Sequence, residues 1–184
     1  MTASYGSKNV MLCLAWWMTG TPPRCATMQP VDISARTEYA VRAMLILAEA
    51  SLTAAGPVSV DTLAFRQELP RKFLEAIVAD LKAAGLVTST RGARGGYALA
   101  REPRDVSLGD VFRAVDGPLA EVRGLRPHET RYDGVAEHLP TVWVAVRAAL
   151  RSVLDGTSLA DVLSGALPGQ VTALAAHPEA WHSR

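Results

Sequence analysis

Apolar residues recur at helical spacing through the first half of the chain. Residues 34–50, SARTEYAVRAMLILAEA, predict a helix that Ser34 caps. The apolar positions along one side of this helix are Tyr39, Ala43, Ile46 or Leu47, and Ala50. Residues 59–67, SVDTLAFRQ, predict a shorter second helix with Ser59 as its cap, Asp61 in its positively polarised first turn and Leu63 pointing inward.

The third helix has the clearest pattern. It is predicted over residues 70–85, PRKFLEAIVADLKAAG, with Pro70 at the first helical position and Gly85 as the stop. The residues expected on its buried side are Phe73, Ile77, Leu81 and Ala84, with Leu74 and Val78 beside them. Because only a brief turn separates the second and third helices, the pair is typical of a helix-turn-helix.

Two strand-like runs follow, LVTST at 86–90 and YALA at 97–100, and RGARGG joins them. A hairpin after a helix-turn-helix predicts a wing. Its glycines would permit tight turning and close approach to DNA. The tip residues assigned to DNA binding are Arg91, Gly92, Arg94, Gly95 and Gly96. A guanidinium at such a tip can contact phosphates or enter a narrow minor groove.

Two other interpretations of the tip differ from this one. One is an ordinary hairpin turn with solvated arginines. The other is a phosphate-cradling loop of a nucleotide enzyme, which is rejected because a strand follows the glycines and the run contains no lysine. Serine, histidine and acidic residues elsewhere are scattered without a catalytic arrangement, so no enzyme is predicted.

The second half of the chain continues the helical pattern. Residues 107–117 predict a helix with a capping-box start at Ser107 and Asp110, and residues 118–139 predict a loop. A longer amphipathic helix follows from Pro140, then a short helix at 158–165 and an uncertain tail. The predicted fold is mainly α. The expected divisions are a leader at 1–27, a winged helix-turn-helix DNA-binding domain at 28–117, a loop and dimerisation helices at 118–165, and a tail at 166–184.

Charge and cysteine content refine this picture. Residues 28–104 carry ten basic and eight acidic residues, whereas the residues from 105 onward carry seven and ten. A mildly basic first part fits a DNA-contacting half. Both cysteines, Cys13 and Cys25, lie in the leader, and no zinc-like spacing occurs, so a cytoplasmic protein is expected.

The leader contains the apolar run VMLCLAWWM at residues 10–18, which is shorter than the roughly 20 residues that span a bilayer. It fits a signal peptide poorly. The preferred interpretation is a dispensable or mis-assigned leader, with the functional chain starting at Met28. The alternatives are a disordered extension and an export signal.

Three stretches together resemble the Rrf2 family of bacterial winged-helix regulators, the group that contains IscR and NsrR. They are RTEYAVRAMLILAE, FLEAIVADLKAAGLV and RGARGGYALAREPRDVSLGDVFRAVDG, and the resemblance is strong over residues 33–117. It implies a homodimer in which the helix near 141–154 crosses its partner and each recognition helix enters the major groove of an operator. No membrane partner is expected. The resemblance leaves open whether the protein binds an effector and what the chemistry of that effector is.

The resemblance also assigns roles to single residues. Glu75 matches a glutamate that reads bases, and a carboxylate there can accept from cytosine N4, although a solvated helix glutamate is the alternative. Arg91 matches the wing arginine that enters the minor groove. Arg71 and Lys72 are expected phosphate or base contacts by position alone.

The chain departs from the family's cluster-binding members, which carry three cysteines after the AVDG helix. Residues 116–140 contain none, so no iron–sulfur cluster is expected. Glu38 stands where some members supply a carboxylate ligand. Other conceivable ligands are His128, Glu129, Asp133 and His138, whose spacing is not metal-like, and no metal site is predicted.

The sequence therefore predicts a homodimeric, sequence-specific DNA-binding transcriptional regulator that acts as a repressor. The alternative is a winged-helix protein-interaction module that has lost DNA binding.

Overall fold

The computed structural model of the protein describes residues 33–92 and 94–182. The predicted leader, with its apolar run and both cysteines, lies outside the described residues. The helices are α1 (Ala35–Leu52), α2 (Val60–Gln67), α3 (Arg71–Ala83), α4 (Leu108–Val115), α5 (Leu139–Leu154), α6 (Leu159–Ser164) and α7 (Gly169–Ala175). The strands are β1 (Val87–Thr90) and β2 (Gly96–Leu99). The mainly α winged helix-turn-helix fold is thus confirmed.

Side-chain caps fix the starts of the helices where the sequence places them. The hydroxyl of Ser34 accepts from the backbone N–H of Thr37 at 3.0 Å, which satisfies one of the unpaired donors at the start of α1. Ser59 caps α2 in the same way. Ser107 and Asp110 form a reciprocal capping box at α4. These three predicted caps are confirmed.

Helix α3 differs from its prediction in two details. It begins at Arg71, with Pro70 as the N-cap residue instead of the first helical residue. Its buried residues are Leu74, Ile77, Val78 and Leu81. Phe73 is 40% exposed, and Ala84 lies beyond the last helical residue and is exposed. The buried side of α3 is therefore rotated away from Phe73. The Phe73 ring instead packs edge-on against the Tyr39 ring, with 5.6 Å between the two ring centroids.

The end of α3 follows the prediction. Gly85 has a φ of +71°, in the left-handed region that glycine adopts without steric cost. The N–H of Leu86 donates to the carbonyl of Leu81 at 2.9 Å, which closes the helix and directs the chain into β1.

Helix α1 is central to the core. Its buried residues contact α3, α4, α6 and the wing, and the largest fully buried apolar side chains of the whole core are Met44, Leu47, Leu63, Leu74, Ile77, Leu81 and Leu159. Leu159 comes from α6, after the long loop and α5. Its N–H donates to the carbonyl of Val106 at 3.0 Å, so the chain returns to the helix-turn-helix core late in the sequence.

The wing is an antiparallel hairpin, and a short extended segment pairs with its second strand from the other side. Val87 pairs with Leu99, and Thr90 pairs with Gly96. On the other side of β2, Val58 and Tyr97 exchange two backbone hydrogen bonds of 2.8 Å. Because Val58 lies two residues before α2, this pairing attaches the wing to the start of the helix-turn-helix.

Little of the surface of helix α5 is buried against the rest of the described fold. None of its residues is fully buried, and only one side contacts the turn Pro127–Glu129. The predicted tail contains more order than expected, because α7 and the turn Pro178–Trp181 form there. Within the described ranges, no helix is long and apolar enough to cross a membrane.

Candidate nucleic-acid interface

The turn between α2 and α3 presents the start of α3 to solvent. Glu68 adopts a left-handed conformation, with a φ of +56°, and Leu69 donates its N–H to Ala64 at 3.1 Å. This tight turn directs the chain into α3, so that the apolar side of the helix packs on the core. Arg71, Lys72 and Glu75 are consequently exposed on its outer side.

Arg71 joins two acidic residues from different helices. Its Nε donates to Oε1 of Glu75 at 2.8 Å, and its Nη1 lies 3.0 Å from Oδ1 of Asp61 in α2. The hydrogen bond to Glu75, followed by the charges of Asp61 and Glu75, raises the pKa of Arg71 above its ordinary value. The structure therefore brings the predicted residues Arg71 and Glu75 together, with Asp61 as a third member.

Asp61 is a residue of this surface that sequence reasoning missed. Its place in the first turn of α2 was explained by the helix dipole. The sequence signal for this contact was that Asp61 and Arg71 carry opposite charges on two neighbouring predicted helices. Only the angle between α2 and α3 brings the two side chains into contact.

The wing tip has the backbone that its glycines were expected to give. Gly92 has a φ of +114°, which side-chain-bearing residues rarely adopt. Its carbonyl accepts from the N–H of Gly95 at 2.9 Å. A Cβ atom on Gly95 would stand 2.8 Å from that carbonyl oxygen, so the tip is too tight there for a larger residue. Arg91, just before this turn, and Arg94, within it, are both exposed.

Several basic residues near this surface or elsewhere in the fold pair with acidic ones. Arg36 pairs with Asp80, Arg66 with Glu49 and Arg113 with both Asp110 and Asp155. By contrast, no ion pair to Lys72, Arg91 or Arg94 forms among residues 33–92 and 94–182. Positive charge is thus left unneutralised at the start of α3 and at the wing tip.

Wing and helix-turn-helix are also adjacent. A cleft between them is lined by Ser59, Thr62 and Arg66 from α2 and its cap, and by Arg94 and Gly95 from the tip. Glu49 of α1 also lines this cleft and pairs with Arg66 at 2.7 Å, whereas Arg94 borders it without an ion pair among the described residues.

Together, the helix-turn-helix, the wing and their free cations define a winged-helix DNA-binding protein. A model of the Rrf2 family, described as an iron-dependent transcriptional regulator, matches residues 33–165, and the chain belongs to this family. The chain is a DNA-binding transcriptional regulator, which confirms the predicted family and the predicted class of function.

Several relatives support this membership. The chain is 48% identical over 143 residues to an HTH-type transcriptional regulator of Mycobacterium tuberculosis, a match that covers 78% of this chain and 88% of the relative. It is 36% identical to CymR of Bacillus subtilis over 134 residues, which are 73% of this chain and 91% of CymR. These relatives are named as regulators and not as enzymes.

Solved structures agree. The structure of CymR, the global cysteine regulator of B. subtilis, superimposes with a TM-score of 0.61 at 35% identity and covers 72% of this chain and 96% of its own. The structure of IscR from T. potens gives a TM-score of 0.57 at 36% identity, with 83% and 93% covered.

The family description names iron, but the residues of the loop before α5 do not fit an iron–sulfur cluster. Residues 116–140 supply no thiolate. His128 lies 4.0 Å from Glu129, His138 lies 3.3 Å from Glu137, and Glu38 pairs with Arg42 at 3.5 Å. Among the described residues, no group of three or more His, Cys, Asp or Glu is placed to hold a metal ion.

Proposed function

We propose that the protein is a homodimeric repressor that binds operator DNA with α3 in the major groove and the wing in the minor groove. The observation that carries this proposal is a set of exposed cations that make no ion pair with residues 33–92 or 94–182: Lys72 at the start of α3, and Arg91 and Arg94 at the wing tip. Phosphates would supply counter-charges that these described residues do not. Gly92 and Gly95 allow the tip to be narrow enough to enter a groove, while Gly96 lets the wing lie against Val58.

Glu75 is the proposed base-reading residue. Its carboxylate is exposed on the outer side of α3, where a base edge in the major groove would lie. A carboxylate accepts from cytosine N4 and is repelled by acceptor-only edges and by phosphates. Glu75 would therefore add discrimination more than affinity.

The exposed surface of α5 supports a homodimer. Away from the side that contacts Pro127–Glu129, its exposed residues are largely apolar or small: Val142, Val144, Ala145, Val146, Ala148 and Ala149. An apolar helix surface of this kind is typical of a protein–protein contact. Alanines at its centre would let the same helix of a second copy approach closely. A dimer would then place two recognition helices on one operator.

We propose repression because a dimer bound over a promoter would exclude polymerase without needing a further contact surface.

We also propose that the protein works without an iron–sulfur cluster in the loop before α5. Protein purified anaerobically would then be colourless and hold no stoichiometric iron or sulfide. A visible charge-transfer band with bound iron would contradict this.

The competing interpretation, a protein-interaction module, expects an apolar outer side on α3. The outer side instead carries Arg71, Lys72 and Glu75, and Phe73 rests against Tyr39. This charged surface favours DNA over an apolar partner.

The direct test is a gel shift of the full chain with duplex DNA from its own upstream region, across a salt series. Binding should weaken steeply as salt rises. Salt-insensitive binding, or none to any upstream region tried, would contradict DNA recognition.

Dimerisation is tested by light scattering after size exclusion. Val146→Glu should give a monomer, whereas Val135→Glu, a matched change at an exposed valine outside α5, should leave a dimer. A wild-type monomer at micromolar concentration would reject the homodimer.

A further inference from the structure

The position of Arg71 between two carboxylates suggests a role other than contact with DNA. Its Nε donates to Glu75 at 2.8 Å, while its Nη1 is anchored 3.0 Å from Asp61 on the preceding helix. One guanidinium thus links the helix that positions the motif to the glutamate proposed to read bases. Only Oε1 of Glu75 is engaged within the part of the chain that the structure describes, which leaves Oε2 available to a base.

Helix stability does not account for this arrangement. The side chains of Arg71, Asp61 and Glu75 are 59%, 67% and 47% exposed, and exposed ion pairs add little to folding. A cation in the first turn of α3 also opposes the positive end of the helix dipole. Arginine four residues before glutamate is the weaker order for a helical pair. The contacts fix an orientation more than they stabilise a helix.

A held carboxylate and a free one differ in what they can read. A free glutamate side chain samples many rotamers and can turn from the base edge, so the entropy of ordering it opposes the contact. A glutamate already bonded through one oxygen presents the other in a defined direction. The guanidinium beside it also offsets its repulsion of phosphates.

We propose that Arg71 is a positioning residue for sequence readout: it orients the Glu75 carboxylate toward its base and is itself held by Asp61. This inference rests on the proposed base-reading role of Glu75. It departs from the expectation that Arg71, like Lys72, contacts a phosphate or a base. Arg71 then affects which sequences are bound, while Lys72 affects how tightly all sequences are bound.

The charge-preserving substitution Arg71→Lys separates the two roles. Lysine can contact a phosphate as a point charge, but it lacks the planar fork that serves two carboxylates at once. As a phosphate contact, Arg71→Lys should leave base preference and salt dependence nearly unchanged. As a positioning residue, it should broaden base preference while the salt dependence stays the same.

The experiment uses full-length protein and a library of duplex DNA randomised at each position of the sequence that wild-type protein selects. Glu75→Ala should reduce discrimination at one base pair by about tenfold. Arg71→Lys should reduce it at the same base pair, and Arg71→Lys with Glu75→Ala should be no broader than Glu75→Ala alone. Asp61→Asn should broaden it in the same direction but less. Arg104→Lys, the same substitution at an exposed arginine of the turn Pro103–Asp105, is the matched control and should leave discrimination unchanged.

Two failures are distinguishable. If Glu75→Ala broadens recognition but Arg71→Lys does not, and Arg71→Ala lowers affinity for all sequences with a salt slope reduced by about one, Arg71 is a phosphate contact and the positioning role is wrong. If Glu75→Ala itself leaves base preference unchanged, the base-reading proposal fails, and this inference fails with it. Unchanged thermal unfolding of each variant confirms that its fold is intact.

Discussion

The backbone of Gly96 lies directly against that of Val58. A Cβ atom on Gly96 would stand 2.6 Å from both the carbonyl carbon and the carbonyl oxygen of Val58. One residue later, Tyr97 exchanges its two 2.8 Å hydrogen bonds with the same residue. The absence of a side chain at Gly96 therefore lets the wing pair with the segment that leads into α2, which fixes the wing beside the helix-turn-helix.

Gly96→Ala should separate these two segments. Because the obstructing atoms are backbone, they cannot rotate away, and we expect a loss of about 1–3 kcal/mol in the free energy of unfolding, measured by urea denaturation. Gly169→Ala is the matched control, since its Cβ would meet nothing within 4 Å. Equal unfolding midpoints for the two variants would show that the Val58 contact is not restrictive.

Asp116 joins the end of α4 to the start of α1. Its Oδ2 accepts from the hydroxyls of Ser34 and Thr37, each at 2.6 Å, and Thr37 is fully buried. Asp116→Ala should cost about 1–3 kcal/mol of unfolding free energy, because the Thr37 hydroxyl then loses its acceptor in a buried place.

Asp116→Asn keeps an acceptor oxygen and should cost clearly less than Asp116→Ala. If both variants lose the same stability in thermal or urea unfolding, the negative charge matters more than the acceptor for Thr37.

The sequence predicted those features that depend on neighbours along the chain. The caps at Ser34 and Ser107 need only a hydroxyl three residues before an N–H, and the stop at Gly85 needs only a left-handed residue. These local rules held in the structure. The rotation of the α3 surface away from Phe73 did not follow from them, because Tyr39 on another helix supplies the contact.

Features that depend on distant pairing were missed. The burial of Leu159 requires the chain to return after a long loop, and no local pattern encodes that return. In the same way, position and resemblance point to Arg71 and Glu75, but the contact of Arg71 with Asp61 depends on how α2 crosses α3. Periodicity gives the facing side of each helix and not the angle between two helices.

Arg113 joins α4 to the end of α5 through two carboxylates. It lies 2.9 Å from Asp110 and 2.6 Å from Asp155. Burial alone would raise the pKa of the Asp110 and Asp155 carboxyls. Hydrogen bonds from Arg113 to both carboxyls, from Ser107 to Asp110 and from Arg151 to Asp155 outweigh this effect. They hold both pKa values below the ordinary 3.8. A carboxyl with a lowered folded pKa stabilises the protein above its unfolded pKa and loses that contribution as pH falls through the folded value.

Arg113→Gln should therefore lower the free energy of unfolding by about 1 kcal/mol at pH 7, a modest effect because the groups are partly exposed. The difference from wild type should shrink as pH falls below about 4, where the carboxyls of both proteins become protonated. Urea unfolding from pH 7 to pH 2.5 measures it. Arg131→Gln, at an exposed arginine with no ion pair in the described ranges, should show no such pH dependence. A constant difference for Arg113→Gln across this range would exclude the carboxyls as its cause.

Arg91 and Arg94 flank the wing tip without counter-charges from the described residues, so their removal should act on DNA binding and leave folding intact. If Arg91 lies in the minor groove, Arg91→Ala should weaken binding to most sequences and reduce the slope of log affinity against log salt by roughly one. Arg94→Ala should have a similar but smaller effect, because Arg94 borders the cleft beside α2.

Arg104→Ala is the control: this arginine is exposed and lies in the turn Pro103–Asp105, away from the tip in sequence. Gel shifts across a salt series with the selected duplex measure all three. Equal slopes for Arg91→Ala and Arg104→Ala would mean that the wing does not contact DNA, whereas a loss confined to one sequence would mean that Arg91 reads a base directly.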